Sequence, residues 1–428
     1  MKRASTACLT VLLAACDGMI HQSAPLPSLV ERGTAEERTA ETAPPALFPS
    51  HPRPEFHDFG DPNFRKLAQK TRALKNQTAP MGTVLRIVQF GDSHTASDTI
   101  TSGLRRLLQQ RFGNAGIGWI APMKTPGQNH SLVKYESNGW ELSTSRNANE
   151  ARQKIFPLGG YIATPVSDNA SISVIPRAES ADLWKARVSL KQWKAPLILT
   201  DARKKRIVIE PSRPFGLWRD AVIASPLRLP FTITAGSSGD ADLGGIWLEK
   251  NRASGVTVSA IGLNGVTLKN WEYWSMPHQW TRQLTASKAD MVILAYGTNE
   301  AIQPRLDIAD MKNILRKSVL TVRDALPDSA IVIVGAPDAL HAKEAGDCGE
   351  RIFPMLREVK RAQREIAEKM KTLFWDWQTA MGGPCSMEDW FAEGLAKEDR
   401  IHFSLAGYQK SAEFFYDDLM VLIDKTLP

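Results

Sequence analysis

Thr83-Val84-Leu85-Arg86-Ile87-Val88-Gln89-Phe90-Gly91-Asp92-Ser93-His94 is the stretch that decides the fold. Its first eight residues are mostly apolar and rich in β-branched side chains, as a parallel strand buried on both faces requires. A polar tetrad follows at once. Residues 97–112 then carry Ile100, Leu104, Leu107 and Leu108 at helical spacing. Strand, tight turn and helix place Ser93 at the carboxyl end of a strand and near a helix N-terminus. Open α/β sheets bind ligands there, and the helix dipole favours negative charge. Alone, Gly-Asp-Ser is also ordinary turn chemistry, so its weight depends on the rest of the chain.

The rest of the chain repeats the alternation. A helix is expected over residues 62–75, and strands over 256–262, 291–296, 330–335 and 373–377. Helices are expected over 267–287, 308–326, 351–371 and 405–425. This pattern predicts an α/β fold with a doubly wound parallel sheet, whose strand-end loops share one face. Between residues 124 and 251 the character changes. Short β-type runs at 171–175, 186–193, 196–199, 206–210, 230–234 and 245–249 are separated by turn residues, which predicts an inserted β-sandwich. Trp184, Trp193, Trp218 and Trp247 fall in it, either stacking sugar rings or filling the space between sheets. Trp271, Trp274 and Trp280 recur at helix-compatible spacing, which favours core over a glycan platform.

Two further polar blocks fall at strand ends or in a late loop. Gly297-Thr298-Asn299-Glu300 follows the strand at 291–296, and Asp399-Arg400-Ile401-His402 precedes the closing helix. A serine nucleophile needs a base for its proton and an acid to orient the imidazole. Ser93, His402 and Asp399 supply these types. Donors for an oxyanion are available from the N–H of Ser93, the N–H of Gly265 and the side-chain amide of Asn299. Gly262, three residues before Gly265, is the competing glycine. Asp92 reads as a helix or turn cap, and His94 as a residue lining or supporting the site.

These blocks, in this order, resemble the SGNH or GDSL hydrolase superfamily over residues from about 80 to 428, the insertion excepted. The tetrad Gly91 to His94 matches block one, Gly265 block two, the tetrad Gly297 to Glu300 block three, and Asp399 with His402 block five. The two tetrads, the Gly-rich segment from Gly113 to Trp119 and the long β insertion resemble the periplasmic peptidoglycan O-acetylesterases of Gram-negative bacteria. The resemblance implies a flavodoxin-like sheet and a carbohydrate-binding-like insertion. It also implies Ser93 as nucleophile, His402 as base, Asp399 as its orienter, and Gly265 and Asn299 as oxyanion donors. Rival motifs are absent from the sequence: there is no P-loop, no His-Glu-x-x-His and no Gly-x-Ser-x-Gly elbow.

The N-terminus bears on location. Lys2 and Arg3 precede an apolar stretch over residues 4–15, too short to span a bilayer but suited to a secretory signal. It ends Leu13-Ala14-Ala15-Cys16, which resembles a bacterial lipobox, so Cys16 is the expected lipidation site. Asp17 looks like an inner-membrane retention signal, but that rule varies, and either membrane remains open. Residues 17–55 are rich in Pro, Ala, Ser, Thr and Glu and read as a tether. With Cys8 removed and Cys16 lipidated, Cys348 and Cys385 remain as a pair in an oxidising compartment, where a disulfide is expected.

The composition, 43% apolar and 23% charged over 428 residues, is that of a globular protein. A net charge of +7 comes without any run of five or six like charges, so nothing points to nucleic acid. Expected units are a signal at 1–16, a tether at 17–55, a hydrolase domain at 56–125 and 253–428, and the insertion at 126–252. The expected activity is removal of acetyl groups from peptidoglycan through an acetyl-serine, with no metal or other cofactor, in a periplasmic, lipid-anchored protein. A polysaccharide O-acetyltransferase and a non-catalytic wall-binding lipoprotein are the alternatives, and another acetylated glycan is an alternative substrate.

Overall fold

The structure is a computed structural model that describes residues 55–274 and 279–427. The expected signal, Cys16 and nearly all of the expected tether lie outside the described residues. Six strands form the larger sheet: β1 Phe56–Asp58, β2 Val84–Gly91, β3 Gly255–Gly262, β4 Met291–Ala295, β5 Ala330–Gly335 and β6 Leu373–Asp376. They are ordered β1-β6-β5-β4-β2-β3. All are parallel except β1, which pairs antiparallel with β6 at one edge. Counted from β2, the parallel strands run 2-1-3-4-5, and the switch point lies between β2 and β4. The β2 end carrying Ser93 is therefore at the crevice that this topology opens.

Strand alternation divides the hydrolase core in two. Leu85 and Ile87 join the core beneath helices Phe64–Lys75, Thr99–Phe112 and Leu405–Thr426. Val88 and Phe90 join the other, beneath Gln279–Ser287, Ile308–Ala325 and Leu356–Met370. Phe156, Tyr161, Trp218 and Trp247 of the insertion also enter this second core, so the insertion shares apolar packing with the hydrolase.

The inserted region has two sheets. One holds Arg206–Ile209, Leu197–Asp201, Phe231–Ala235, Ser171–Pro176 and Val133–Asn138 in that order. The other holds Arg219–Val222, Trp184–Gln192, Ala241–Lys250, Tyr161–Pro165 and Trp140–Thr144. Ile172, Leu199 and Phe231 from the first sheet share a core with Val188, Leu190 and Leu243 from the second, which makes a β-sandwich. The insertion starts earlier than residue 126, because Gly116–Ile120 pairs antiparallel with Ala241–Lys250. Its Gly-rich sequence has a steric cause. Gly116 has φ +128°, and a Cβ there would lie 2.9 Å from the backbone of Leu248, Glu249 and Lys250.

Two expected helices are broken and a third starts late. Residues 97–112 contain only Thr99–Phe112, because Asp98 takes a left-handed φ of 55° and starts the helix afresh. A separate turn of helix, Ser93–Ala96, precedes it. Residues 267–287 hold a 3₁₀ segment, Leu268–Tyr273, and the helix Gln279–Ser287; Pro277 falls between them in the sequence. Residues 351–371 hold the end of Cys348–Arg351 and then Leu356–Met370, a restart consistent with Pro354. Every Trp except the half-buried Trp193 is buried, so Trp184, Trp218 and Trp247 are core residues, as are Trp271, Trp274 and Trp280. Cys348 and Cys385 form a disulfide with Cα atoms 5.7 Å apart.

Candidate active site

Asp92 ends the turn after β2 by accepting the amide N–H of His94 on Oδ1 at 3.0 Å. That cap starts the helical turn Ser93–Ala96 and leaves Ser93 as its first residue, where N–H groups have no carbonyl partner one turn back. Ser93 Oγ lies 2.8 Å from His402 Nε2, and His402 Nδ1 lies 2.7 Å from Asp399 Oδ2. An ionised Asp399 can only accept, so Nδ1 carries the ring proton and Nε2 is the acceptor for the Ser93 hydroxyl. Asp399 Oδ1 also takes the amide N–H groups of His402, at 2.8 Å, and Ile401, at 3.0 Å. Partial burial opposes its charge, but these three hydrogen bonds prevail and hold its carboxyl well below the usual carboxylate range.

Gly265 and Asn299 share a cleft of about 500 Å³ with Ser93 and His402. Gly265 has a left-handed φ of +74°, a conformation that costs glycine little. Gly262 is placed otherwise: it ends β3, and a Cβ there would lie 2.6 Å from the backbone nitrogen of Ala96. The Asn299 side-chain amide donates to the carbonyl of Val266 at 2.9 Å, which joins the turn after β4 to the turn after β3. Its second N–H remains for another acceptor.

Two supports are not evident from residue order. Glu300 is buried, with Oε1 accepting the amide N–H of Leu268 at 2.9 Å and Oε2 that of Gly297 at 3.0 Å. Burial raises its carboxyl above the ordinary value despite those donors. The only sequence signal was an acid directly after a block residue. His94 is also buried, with Nδ1 3.0 Å from the Tyr408 hydroxyl and its ring centroid 5.4 Å from that of His402. Burial and the neighbouring His402 push it down to about 3, so His94 is a neutral wall behind the imidazole. Arg146, from the insertion, and Lys397 also line the cleft, and no spacing rule identifies either. Among the described residues no group of three or more His, Cys, Asp or Glu side chains is arranged to hold a metal ion.

Nucleophile-type, base-type and acid-type side chains in one hydrogen-bonded line, with amide donors across a cleft, suit attack on a carbonyl. Known proteins agree. Residues 115–232 match the family described as peptidoglycan O-acetylesterase, N-terminal, and residues 232–410 match the GDSL-like lipase/acylhydrolase family. A solved structure described as "Peptidoglycan O-acetylesterase in action, 5 min" is 35% identical, with 86% of this chain and 99% of that chain covered and a TM-score of 0.76. A putative GDSL-like lipase from Parabacteroides merdae is 18% identical over 39% of this chain and 74% of its own, with a TM-score of 0.32. No curated protein matches the chain. A GDSL-type strand-end site, both family matches and similarity along almost the whole of a solved relative together show that the chain belongs to the peptidoglycan O-acetylesterase family of GDSL-like hydrolases.

Proposed function

We propose that this protein is a serine esterase that releases acetate from O-acetylated peptidoglycan, with Ser93, His402 and Asp399 as its catalytic triad. The observation that carries this reading is the continuous line from Ser93 Oγ through His402 to Asp399, open to a cleft that Gly265 and Asn299 also line. Ser93 attacks the acetyl carbonyl carbon while His402 Nε2 takes the hydroxyl proton. The N–H groups of Ser93 and Gly265 and the free N–H of Asn299 receive the oxyanion. As the tetrahedral centre collapses, the C–O bond to the sugar breaks, and His402 returns the proton to the departing sugar oxygen. An acetyl-Ser93 ester remains. Water, giving its proton to His402, then attacks that ester; the acetyl–Oγ bond breaks, His402 returns the proton to Ser93 Oγ, and acetate leaves.

Location follows from the substrate. An enzyme of peptidoglycan works outside the cytoplasm, and the signal-like residues 1–16 fit that requirement. We place the lipid anchor on Cys16, with residues 17–55 as the spacer between membrane and enzyme. Mass spectrometry of the N-terminal peptide from the membrane fraction tests the anchor.

Acetate release from O-acetylated peptidoglycan by purified protein, without added sugar acceptor, tests the function. Release by wild type and its loss in Ser93→Ala are expected. Acetate appearing only as transfer to an added glycan would instead make the chain a transferase, and equal release from acetylated xylan and alginate would remove the assignment to peptidoglycan.

A further inference from the structure

Among the described residues the catalytic cleft is lined by two cations, Arg146 and Lys397, and by no carboxylate; the Asp399 carboxylate behind His402 is engaged by the imidazole at 2.7 Å. Both cations are exposed, and neither side chain has a hydrogen bond or ion pair among the described residues. Unpaired charges of one sign in a cleft attract a ligand of the other sign.

The backbone that carries Arg146 is held in place. The neighbouring Ser145 is fully buried, and the Ser145 hydroxyl donates to Asn270 Oδ1 at 2.7 Å. Asn270 Nδ2 donates back to the Ser145 carbonyl at 2.8 Å, and Trp274 Nε1 donates to the Ser145 hydroxyl oxygen at 3.1 Å. Asn270 and Trp274 follow the turn that carries Gly265. This network fixes a loop of the insertion to the block-two turn. From this backbone Arg146 Nη2 lies 3.5 Å from where a side chain on Gly265 would begin. Lys397 is fixed from the other side, since its amide N–H donates to the His402 carbonyl at 2.8 Å. One cation thus accompanies an oxyanion donor and the other accompanies the base.

We infer that Arg146 and Lys397 recognise a carboxylate on the glycan close to the acetylated hydroxyl, which makes them specificity determinants for an anionic substrate. Peptidoglycan offers such groups on its stem peptides, and on lactyl substituents from which the stem has been removed, whereas acetylated xylan is a largely neutral ester. Arg146 supplies the planar, fork-shaped donor set suited to carboxylate, and Lys397 a compact second charge. The insertion then takes part in substrate choice through one side chain delivered into the hydrolase cleft.

This inference rests on the proposed function, and the experiment separates the two. kcat/KM is measured for acetate release from O-acetylated peptidoglycan and from acetylated xylan, using full-length wild type, Arg146→Gln, Lys397→Gln, the double variant and Arg146→Lys. The ratio of the charged to the neutral substrate is expected to fall about tenfold in the double variant, mostly through KM. Arg146→Lys recovers part of that loss, and added salt shrinks the wild-type preference. Equal losses on both substrates, or no loss on peptidoglycan, overturn the inference and leave the esterase assignment standing. A wild type that releases no acetate from peptidoglycan overturns the functional reading, and this inference with it.

Discussion

The side-chain amide of Asn299 donates to the carbonyl oxygen of Val266 at 2.9 Å. One amide thereby fastens the turn after β4 to the turn after β3 while presenting its other N–H to the cleft. Asn299→Ala removes both a proposed oxyanion donor and this tie. We expect kcat on an acetyl ester to fall roughly 10²- to 10³-fold, as for loss of one such donor elsewhere, with a much smaller change in KM. A loss expressed mainly in KM would assign Asn299 to substrate binding instead.

Glu300 connects the same two turns from below, through the N–H groups of Leu268 and Gly297. Glu300→Gln is nearly the same size, yet its NH₂ group would face one of two buried N–H donors. The variant is expected to lose about 1–3 kcal/mol of stability, the cost of an unsatisfied buried polar group. Activity should also drop, because the turns carrying Gly265 and Asn299 lose a common support. Urea unfolding and kcat measured together check this, and an unchanged midpoint would show that the turns do not depend on the carboxylate.

Asp92 behaves oppositely to Asp399. Burial, helped by the nearby Glu300 charge, pushes its carboxyl from the ordinary 3.8 up to about 8, despite the His94 N–H. The folded protein therefore keeps a proton that the unfolded chain gives up near pH 4. The stability associated with that proton is complete below pH 4 and disappears as pH rises through about 8. Asn in its place keeps an oxygen for the His94 N–H and has no proton to lose. The Tm of Asp92→Asn should rise relative to wild type as the pH goes from 4 to 8. A constant difference across that interval would mean that Asp92 is ionised in the folded state.

The disulfide encloses a sequence separation of 37 residues. Its partner Cys385 immediately precedes the helix Ser386–Ala392, upstream of the loop that holds Asp399 and His402. Cys348→Ser is expected to cost about 2–4 kcal/mol, by releasing the closed segment between residues 348 and 385 in the unfolded chain. Denaturation of the variant and of the reduced wild type should give matching losses, with Asp399 Oδ2 still bonded to His402 in what remains folded.

Much of this architecture was legible because buried parallel strands write their own signal. Residues 291–295 and 330–335 are unbroken apolar runs, residues 84–90 are interrupted only by Arg86 and Gln89, and all three strands are covered on both faces. The block residues fell at the ends of such runs, which is why chemistry could be placed before contacts were known. Sandwich strand Val133–Asn138 was missed because most of its side chains face water and read as loop, and Arg219–Val222 because it has only four residues, two of them charged. β1 has three residues, too few for any period to show. Gly116–Ile120 was misplaced for another reason: its glycines record backbone crowding against a strand more than a hundred residues later, which no local pattern contains. Glu300 ties its own turn to Leu268, 32 residues earlier, and Arg146 reaches the cleft from the insertion, placements that no local spacing contains.

The position of β2 sets an order of events for the newly made chain. β2 pairs with β3 on one side and β4 on the other, and both partners begin beyond residue 254. A chain emerging N-terminus first exposes the nucleophile strand while more than 160 residues, including the entire sandwich, have yet to appear. The sandwich strands find their partners among themselves and can settle earlier. The hydrolase sheet, built from distant pairings, is therefore expected to close late and slowly, with the reactive serine assembled among the last parts.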